Sequence, residues 1–359
     1  MSKQILMLSQ YFYPHLGGVE KHVFHTAAAL QDKGYEVKIV AGRHRGRQPS
    51  LPAVVKHKLS ELEVVHIRYP RLKFLGLLLI WLQLLKKINL IKQADVIHVH
   101  DVFIWYWPFK LVFPQKKIVT TMHGWEGVYP IPAKNVRLKQ LAAKLSDNVV
   151  CVGEYIEKYY QVQADAVIYG GVDEDWLVDS KQLAAKHQLE PRGLVRLVYV
   201  GRLANDTGLP ILLSALDSLD EDWQKQLEVK FIGGGELRAE AARYGQVLGW
   251  INEPSLQHEL AQAQICFTGG YLSALEAMAA GCVVISGFDQ QLKQDYWQLG
   301  EIGQRVKAGG QIILSQTLRQ YWQQRRAMIA QVKFNYAWVK QLSWEQVAQE
   351  YEQLYGLKD

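Results

Sequence analysis

Short apolar runs alternate with helix-patterned segments twice along the chain, and that double alternation limits the fold more than any other feature. The first set of runs covers 4–8, 36–41, 64–66, 96–100, 117–122 and 148–152; the second covers 196–201, 228–233, 247–250, 265–267 and 283–285. A strand that is apolar throughout must be covered on both faces. Helices between successive strands supply that cover, so each set predicts a parallel sheet sandwiched by helices. At 359 residues the chain is also too long for one ordinary core. The expected fold class is α/β, with two doubly wound, Rossmann-like domains. They span residues 1–170 and 171–339, divided where a strand ends at Gly170-Gly171. From about 310 the pattern turns helical. In 343–355, Trp344, Val347, Tyr351 and Leu354 recur at helical spacing, and Ser343 with Gln346 approximates a capping box.

Composition narrows the function classes. The three cysteines, Cys151, Cys266 and Cys282, are odd in number and lack metal-ligand spacing, which points to a reducing, cytoplasmic setting and away from structural zinc. MSKQILMLSQ carries no signal-peptide pattern. The net charge of +6 arises in residues 1–172, the remainder being net acidic. A basic first half suits an anionic acceptor or surface, or is simply a solvated face. No nucleic-acid-binding motif accompanies it. The run FLGLLLIWLQLL, 74–85, is too short to span a bilayer, which takes about 20 residues. It reads either as a helix covering the first sheet or as an element lying on a membrane surface. The basic loop 43–47 and the aromatic run 103–109 lean toward lipid, although each also suits a solvated loop and a packed wall.

In doubly wound sheets, ligands bind beyond the carboxyl ends of the strands. After the first strand come Gly17 and Gly18, which allow a tight turn, close backbone approach and a helix N-terminus open to negative charge. The spacing is not the dinucleotide fingerprint, which argues against a nicotinamide enzyme. HVHD places His98 and His100 on one strand face, with no third metal ligand in view, so His100 and Asp101 read as cleft residues. His123-Gly124 ends another strand, where a histidine can donate a hydrogen bond or move a proton near neutral pH. In the second half Arg202 follows a strand-ending glycine and suits an oxyanion. FIGGGELR contains Gly234, Leu248-Gly249-Trp250 closes a strand where a flat base could lie, and Gly269-Gly270 opens a helix carrying Glu276.

Taken in order, GGVEKH, HVHD, the His-Gly pair at 123–124, GVD at 171–173, VGRL, FIGGGELR and LEAMAAGCVVIS at 275–286 resemble the nucleotide-sugar-dependent glycosyltransferases of the GT-B fold, and within them the large retaining family 4. The resemblance implies two Rossmann-like domains facing a central cleft, with the acceptor bound by the first and the donor by the second. The C-terminal helix, about 340–359, would cross back to complete the first domain. It implies a nucleoside-diphosphate sugar as co-substrate and no cofactor or metal. Asp173-Glu174-Asp175 is therefore not read as a metal motif. Glu276 would hold the ribose hydroxyls, and the amides of Gly269, Gly270, Tyr271 and Leu272 the diphosphate. Arg202 would neutralise that diphosphate, Leu248, Gly249 and Trp250 would take the base, and Gly17, Gly18 and Gly234 would line the donor. His123 would lie beside the transferred sugar, with His100, Asp101, Trp125 and Glu126 on the acceptor side. The partners implied are the donor and a glycan or lipid-linked acceptor, at the cytoplasmic membrane surface or in the cytoplasm, as in the building of cell-envelope polysaccharide.

Two positions depart from that pattern. Thr268 stands where the family commonly carries a glutamate on the donor sugar, and Thr207 where it carries a lysine on the diphosphate. Thr268 could still bond a sugar hydroxyl, Arg238 could replace the lysine if it reaches, and Tyr271 alters a turn that is usually Gly-Phe-Gly. The alternative reading is therefore a catalytically weak protein that binds a nucleotide sugar or supports a partner enzyme.

Overall fold

The computed structural model describes residues 2–15, 17–43, 59–68, 75–124, 127–187 and 193–357. Trp125, Glu126 and most of the basic loop 43–47 lie outside them. The chain forms two compact units, Met1–Gly170 with Trp344–Asp359, and Gly171–Ser343.

The first unit is built on a seven-stranded sheet: β1 (Gln4–Ser9), β2 (Glu36–Arg43), β3 (Glu63–Arg68), β4 (Val96–His100), β5 (Lys117–Met122), β6 (Asn148–Cys151) and β7 (Ala166–Val167). The order is β3-β2-β1-β4-β5-β6-β7, with every pair parallel. β4 is buried along its whole length and β1 at all but its first residue, which explains the unbroken apolar runs. The strand order reverses between β1 and β4, and Ser9, His100 and Thr121 lie level in register. A crevice therefore opens beyond His100.

The second unit repeats the plan with β8 (Val195–Val200), β9 (Leu227–Ile232), β10 (Gln246–Gly249), β11 (Ile265–Thr268), β12 (Val283–Gly287) and β13 (Lys307–Gly309), ordered β10-β9-β8-β11-β12-β13 and parallel throughout. Leu197, Tyr199, Phe231, Phe267 and Ile285 meet Leu212, Leu216, Leu314 and Leu318 in its core. Its switch point falls between β8 and β11, which puts Arg202 and the Gly269-Gly270 turn at the same end of the sheet. Each unit is thus a doubly wound, Rossmann-like domain, as the alternating runs predict.

The helix Trp344–Tyr355 packs on the helix Gly18–Asp32 and on β5 in the first unit. It buries Trp344, Val347, Ala348, Tyr351 and Tyr355. The fourth anchor is thus Tyr355 and not the expected Leu354, since i+4 from Tyr351 lies nearer the centre of the stripe than i+3.

The helix Leu75–Leu85 has one buried face, as expected of a helix covering the first sheet, and one exposed apolar face. Gly76, Ile80 and Leu84 are buried. Leu75, Leu78, Leu79, Leu82 and Leu85 are 42–61% exposed. The Trp81 indole N–H donates to the Ile104 carbonyl at 2.9 Å, tying this helix to Phe103–Val112. The aromatic run there is mostly the packed wall: Phe103, Trp105, Tyr106 and Phe109 are buried, while Trp107, Leu111 and Val112 extend the exposed apolar surface. No described helix is long and apolar enough to cross a membrane.

Candidate active and donor-binding sites

At the end of β4 the chain turns sharply. Asp101 takes φ 63°, a left-handed conformation uncommon outside glycine and characteristic of functional turns. The Asp101 carboxylate accepts from the His123 amide at 3.1 Å and from the Lys139 ammonium, which fixes the end of β5 against that of β4. Gly124 follows with φ 104°, and a Cβ there would overlap the Tyr155 hydroxyl. His123-Gly124 is thus a single unit: the glycine lets the chain leave the sheet directly after the histidine.

The His123 Nε2 lies 3.0 Å from the His100 Nδ1. The other His100 nitrogen, Nε2, is buried with no hydrogen-bond partner. A stranded N–H costs more than a stranded lone pair, so the satisfied arrangement has His100 donating from Nδ1. The His123 Nε2 then accepts, and the His123 proton is left on Nδ1. Burial pushes the His123 pKa down to about 4, with Asp101 opposing and Lys139 assisting. Of the two roles expected of His123, this environment favours the neutral hydrogen-bond donor over the proton carrier near pH 7.

Of the surrounding polar groups, the sequence pattern singles out only His98, on its strand face, and Tyr351, on a packed helix face. His22 stands 5.1 Å from His123, ring centroid to centroid, and 3.1 Å from the Tyr351 hydroxyl. The Tyr351 and Thr121 hydroxyls are 2.9 Å apart, Thr121 is 2.8 Å from the His98 Nε2, and the His98 Nδ1 is 2.8 Å from the Tyr355 hydroxyl. One direction satisfies all of them: His22 donates to Tyr351, Tyr351 to Thr121, Thr121 to His98 and His98 to Tyr355. Burial lowers the pKa of His22, His98 and His100, and neighbouring histidines lower each further. His98 and His100 are thus committed to this network. Among the described residues no group of three or more His, Cys, Asp or Glu could hold a metal ion.

Gly17 and Gly18 behave differently from expectation. Gly17 has φ −172°, extended backbone that any residue adopts, and caps the helix Gly18–Asp32. The buried Glu20 carboxylate, paired with His15, already lies against this helix start, so negative charge there is internal. A Cβ at Gly18 would meet nothing within 4 Å.

In the second unit Arg202 is exposed and donates to Asp206 at 2.7 Å. Thr207 donates to the Ala204 carbonyl and accepts from Tyr199. Gly208 has φ 77°, and a Cβ there would come within 2.5 Å of the Gly287 carbonyl. This close approach narrows one side of a cavity of about 70 Å³ lined by Asp206, Thr207, Gly208, Gly269, Asp289 and Lys293. About 10–15 Å³ suffices for one water, so several fit. Thr268 is fully buried; its hydroxyl pairs with Ser273 and lies 3.4 Å from the Gly270 amide. It is buried and spent on its own turn, so the expected contact with a sugar hydroxyl would need that turn to open.

Of the expected amide cradle, the Tyr271 N–H donates to the Tyr296 hydroxyl at 3.1 Å, and the two rings stack at 4.0 Å. Tyr271 therefore packs sideways into Tyr296. Leu272 continues the helix Tyr271–Ala279, and Glu276 is buried two turns in. Leu248 and Gly249 close β10, with the Gly249 carbonyl accepting from Gly233 at 2.8 Å. Trp250 is 56% exposed, and its indole lies against Gly234, so those two expected donor turns touch. The Arg238 guanidinium lies beside Gly249, at the end of β10, and does not line the cavity.

Residues 16–176 match the model for Glycosyltransferase Family 4, and residues 195–293 match that for Glycosyl transferases group 1. Among curated proteins the chain is 23% identical to the phosphatidylinositol N-acetylglucosaminyltransferase GPI3 subunit of Saccharomyces cerevisiae (strain RM11-1a), over 84% of this chain and 69% of the relative. Its fold is that of sucrose-phosphate synthase from Thermosynechococcus elongatus, with TM-score 0.75, 18% identity and coverage of 99% and 98% of the two chains. It is also that of Anabaena HepE in complex with UDP and glucose, with TM-score 0.72, 16% identity and coverage of 99% and 100%.

Proposed function

The chain belongs to the family 4, group 1 glycosyltransferases of the GT-B fold, and from that membership we propose that it moves a sugar from a nucleoside-diphosphate donor to a lipid-linked or glycan acceptor, with retention and without a metal. The observation that carries the reading is the second unit's switch point. There Gly269, leading into the helix Tyr271–Ala279, lines a polar cavity with Asp206 and Lys293, and Arg202 pairs with Asp206, a setting that suits the growing charge of a departing diphosphate. The first unit is assigned the acceptor. His123, neutral and held by His100 and Asp101, donates from Nδ1 to a hydroxyl of the transferred sugar. The leaving diphosphate takes the acceptor's proton on the face where the acceptor enters, so no protein nucleophile is required. A lipid-linked acceptor is favoured by the exposed leucines of Leu75–Leu85 beside Trp107 and Leu111. The yeast relative, whose name specifies a phosphatidylinositol acceptor, agrees with it.

A second reading, a weak or silent nucleotide-sugar-binding protein, is favoured by Thr268, whose hydroxyl is turned into its own helix. Mass spectrometry of UDP-, GDP- and ADP-sugars incubated with the protein and phosphatidylinositol vesicles separates the two. Glycosylated lipid or slow release of the nucleoside diphosphate, both lost in His123→Ala, is the expected result. Binding with neither product, across all donors and with glycan acceptors added, supports the second reading.

A further inference from the structure

Thr207 leaves the diphosphate site one cation short of the family's pattern, and the structure supplies a lysine from another element. β12 ends at Gly287, and the helix Gln291–Gln298 follows it. From the first turn of that helix Lys293 lines the same cavity as Thr207, Gly208 and Gly269. Its ammonium sits 4.9 Å above the Tyr296 ring. Tyr296 stacks on Tyr271 and accepts the Tyr271 amide, so the lysine is carried on a ring fixed to the start of Tyr271–Ala279.

The charges around Lys293 are Arg202, Asp206 and Asp289. Asp206 is engaged by Arg202 at 2.7 Å. Burial lowers the Lys293 pKa to about 8, the two carboxylates acting in the opposite sense and Arg202 in the same one. A lysine drawn out of water, with the Arg202 charge acting against its own, stands to gain more from an arriving anion than a solvated one would.

We propose that Lys293 is the second cation of the nucleoside-diphosphate site, acting from the helix Gln291–Gln298, where it lines the same cavity, in place of the lysine absent at Thr207. The inference rests on the donor site lying at this switch point. It replaces Arg238, whose side chain lies at the end of β10.

The test is isothermal titration of wild type, Lys293→Ala and Lys293→Arg. The probes are the tightest binder among UDP, GDP, ADP and CDP, and the matching nucleoside. Loss of one charge-assisted contact weakens the diphosphate in Lys293→Ala by about 10–100-fold, with the nucleoside changed less than about 3-fold and Lys293→Arg largely restoring affinity. Wild-type diphosphate affinity also falls as pH rises above about 8, where Lys293 in the unliganded protein loses its proton, and this slope is absent in Lys293→Ala. Equal weakening of diphosphate and nucleoside, or none, in a variant with unchanged melting temperature overturns the inference while leaving the donor site standing. Failure of wild type to bind any of the four overturns both.

Discussion

The His100 Nδ1 lies 3.0 Å from the His123 Nε2, and the other His100 nitrogen has no partner. His100 therefore sets the tautomer of His123: His100 is the buried last residue of β4, whereas His123 follows β5 and is half-buried. Replacing His100 with Ala frees the His123 ring and its proton. Loss of one such bond, about 1–2 kcal/mol, lowers turnover by about 5–30-fold with nucleotide affinity unchanged. Turnover equal to wild type removes His100 from the site's geometry.

Tyr351 joins the C-terminal helix to the histidines through two hydroxyl contacts, to His22 and Thr121. Tyr351→Phe keeps the ring packing and strands the His22 N–H in a dry setting. We expect a loss of about 1–3 kcal/mol in urea-unfolding free energy, with the denaturant slope unchanged. No loss would mean that water or a shifted ring replaces the hydroxyl.

The buried histidines make stability depend on pH. Their folded pKa values lie below the unfolded value near 6.5, so above that pH neither state binds the extra protons and the full stability is present. As pH falls below about 6.5 the unfolded chain takes up protons that the fold refuses, at about 1.4 kcal/mol per pH unit per histidine, until the folded values are reached; for His98 that is about 3. The melting temperature should fall between pH 6.5 and 5, and less steeply in His22→Phe. A flat profile would show these rings to be hydrated.

The exposed leucines separate packing from docking. Leu79→Ser with Leu82→Ser removes two large apolar contacts from a solvent-facing row, each worth about 1.5–3 kcal/mol when fully buried in lipid. Cosedimentation with anionic vesicles should drop by more than about 10-fold while the melting temperature holds. Ile80→Ser, on the buried face, should instead destabilise the fold.

The central strands were legible because they are buried on both faces and read as continuous apolar runs, as β1 and β4 do. β13 was not: with three residues at a sheet edge it holds too few apolar positions to form a pattern, and β7, expected to end at Gly170, is a two-residue edge strand that stops at Val167. Motif spacing located the strand-end turns, because a glycine such as Gly124 answers a local demand, a positive φ and the close Tyr155 hydroxyl. The partners across space stayed hidden. Nothing in LKQDYWQ marks Lys293 for the cavity beside Thr207, and His22, Tyr351 and Tyr355 converge on the strand histidines only once the C-terminal helix has packed on the first sheet. The Thr268 hydroxyl was free on paper, and its turn into Ser273 is a local bond that position alone does not reveal.

The most direct measurement of the central claim is titration of the purified protein with UDP, GDP, ADP and CDP, repeated on Arg202→Ala. The account expects one nucleotide to bind selectively, and the arginine variant to lose diphosphate affinity by about 10-fold or more while its nucleoside affinity holds. Binding of none of the four would contradict a donor site in the second unit, and with it the assignment of this chain as a working glycosyltransferase.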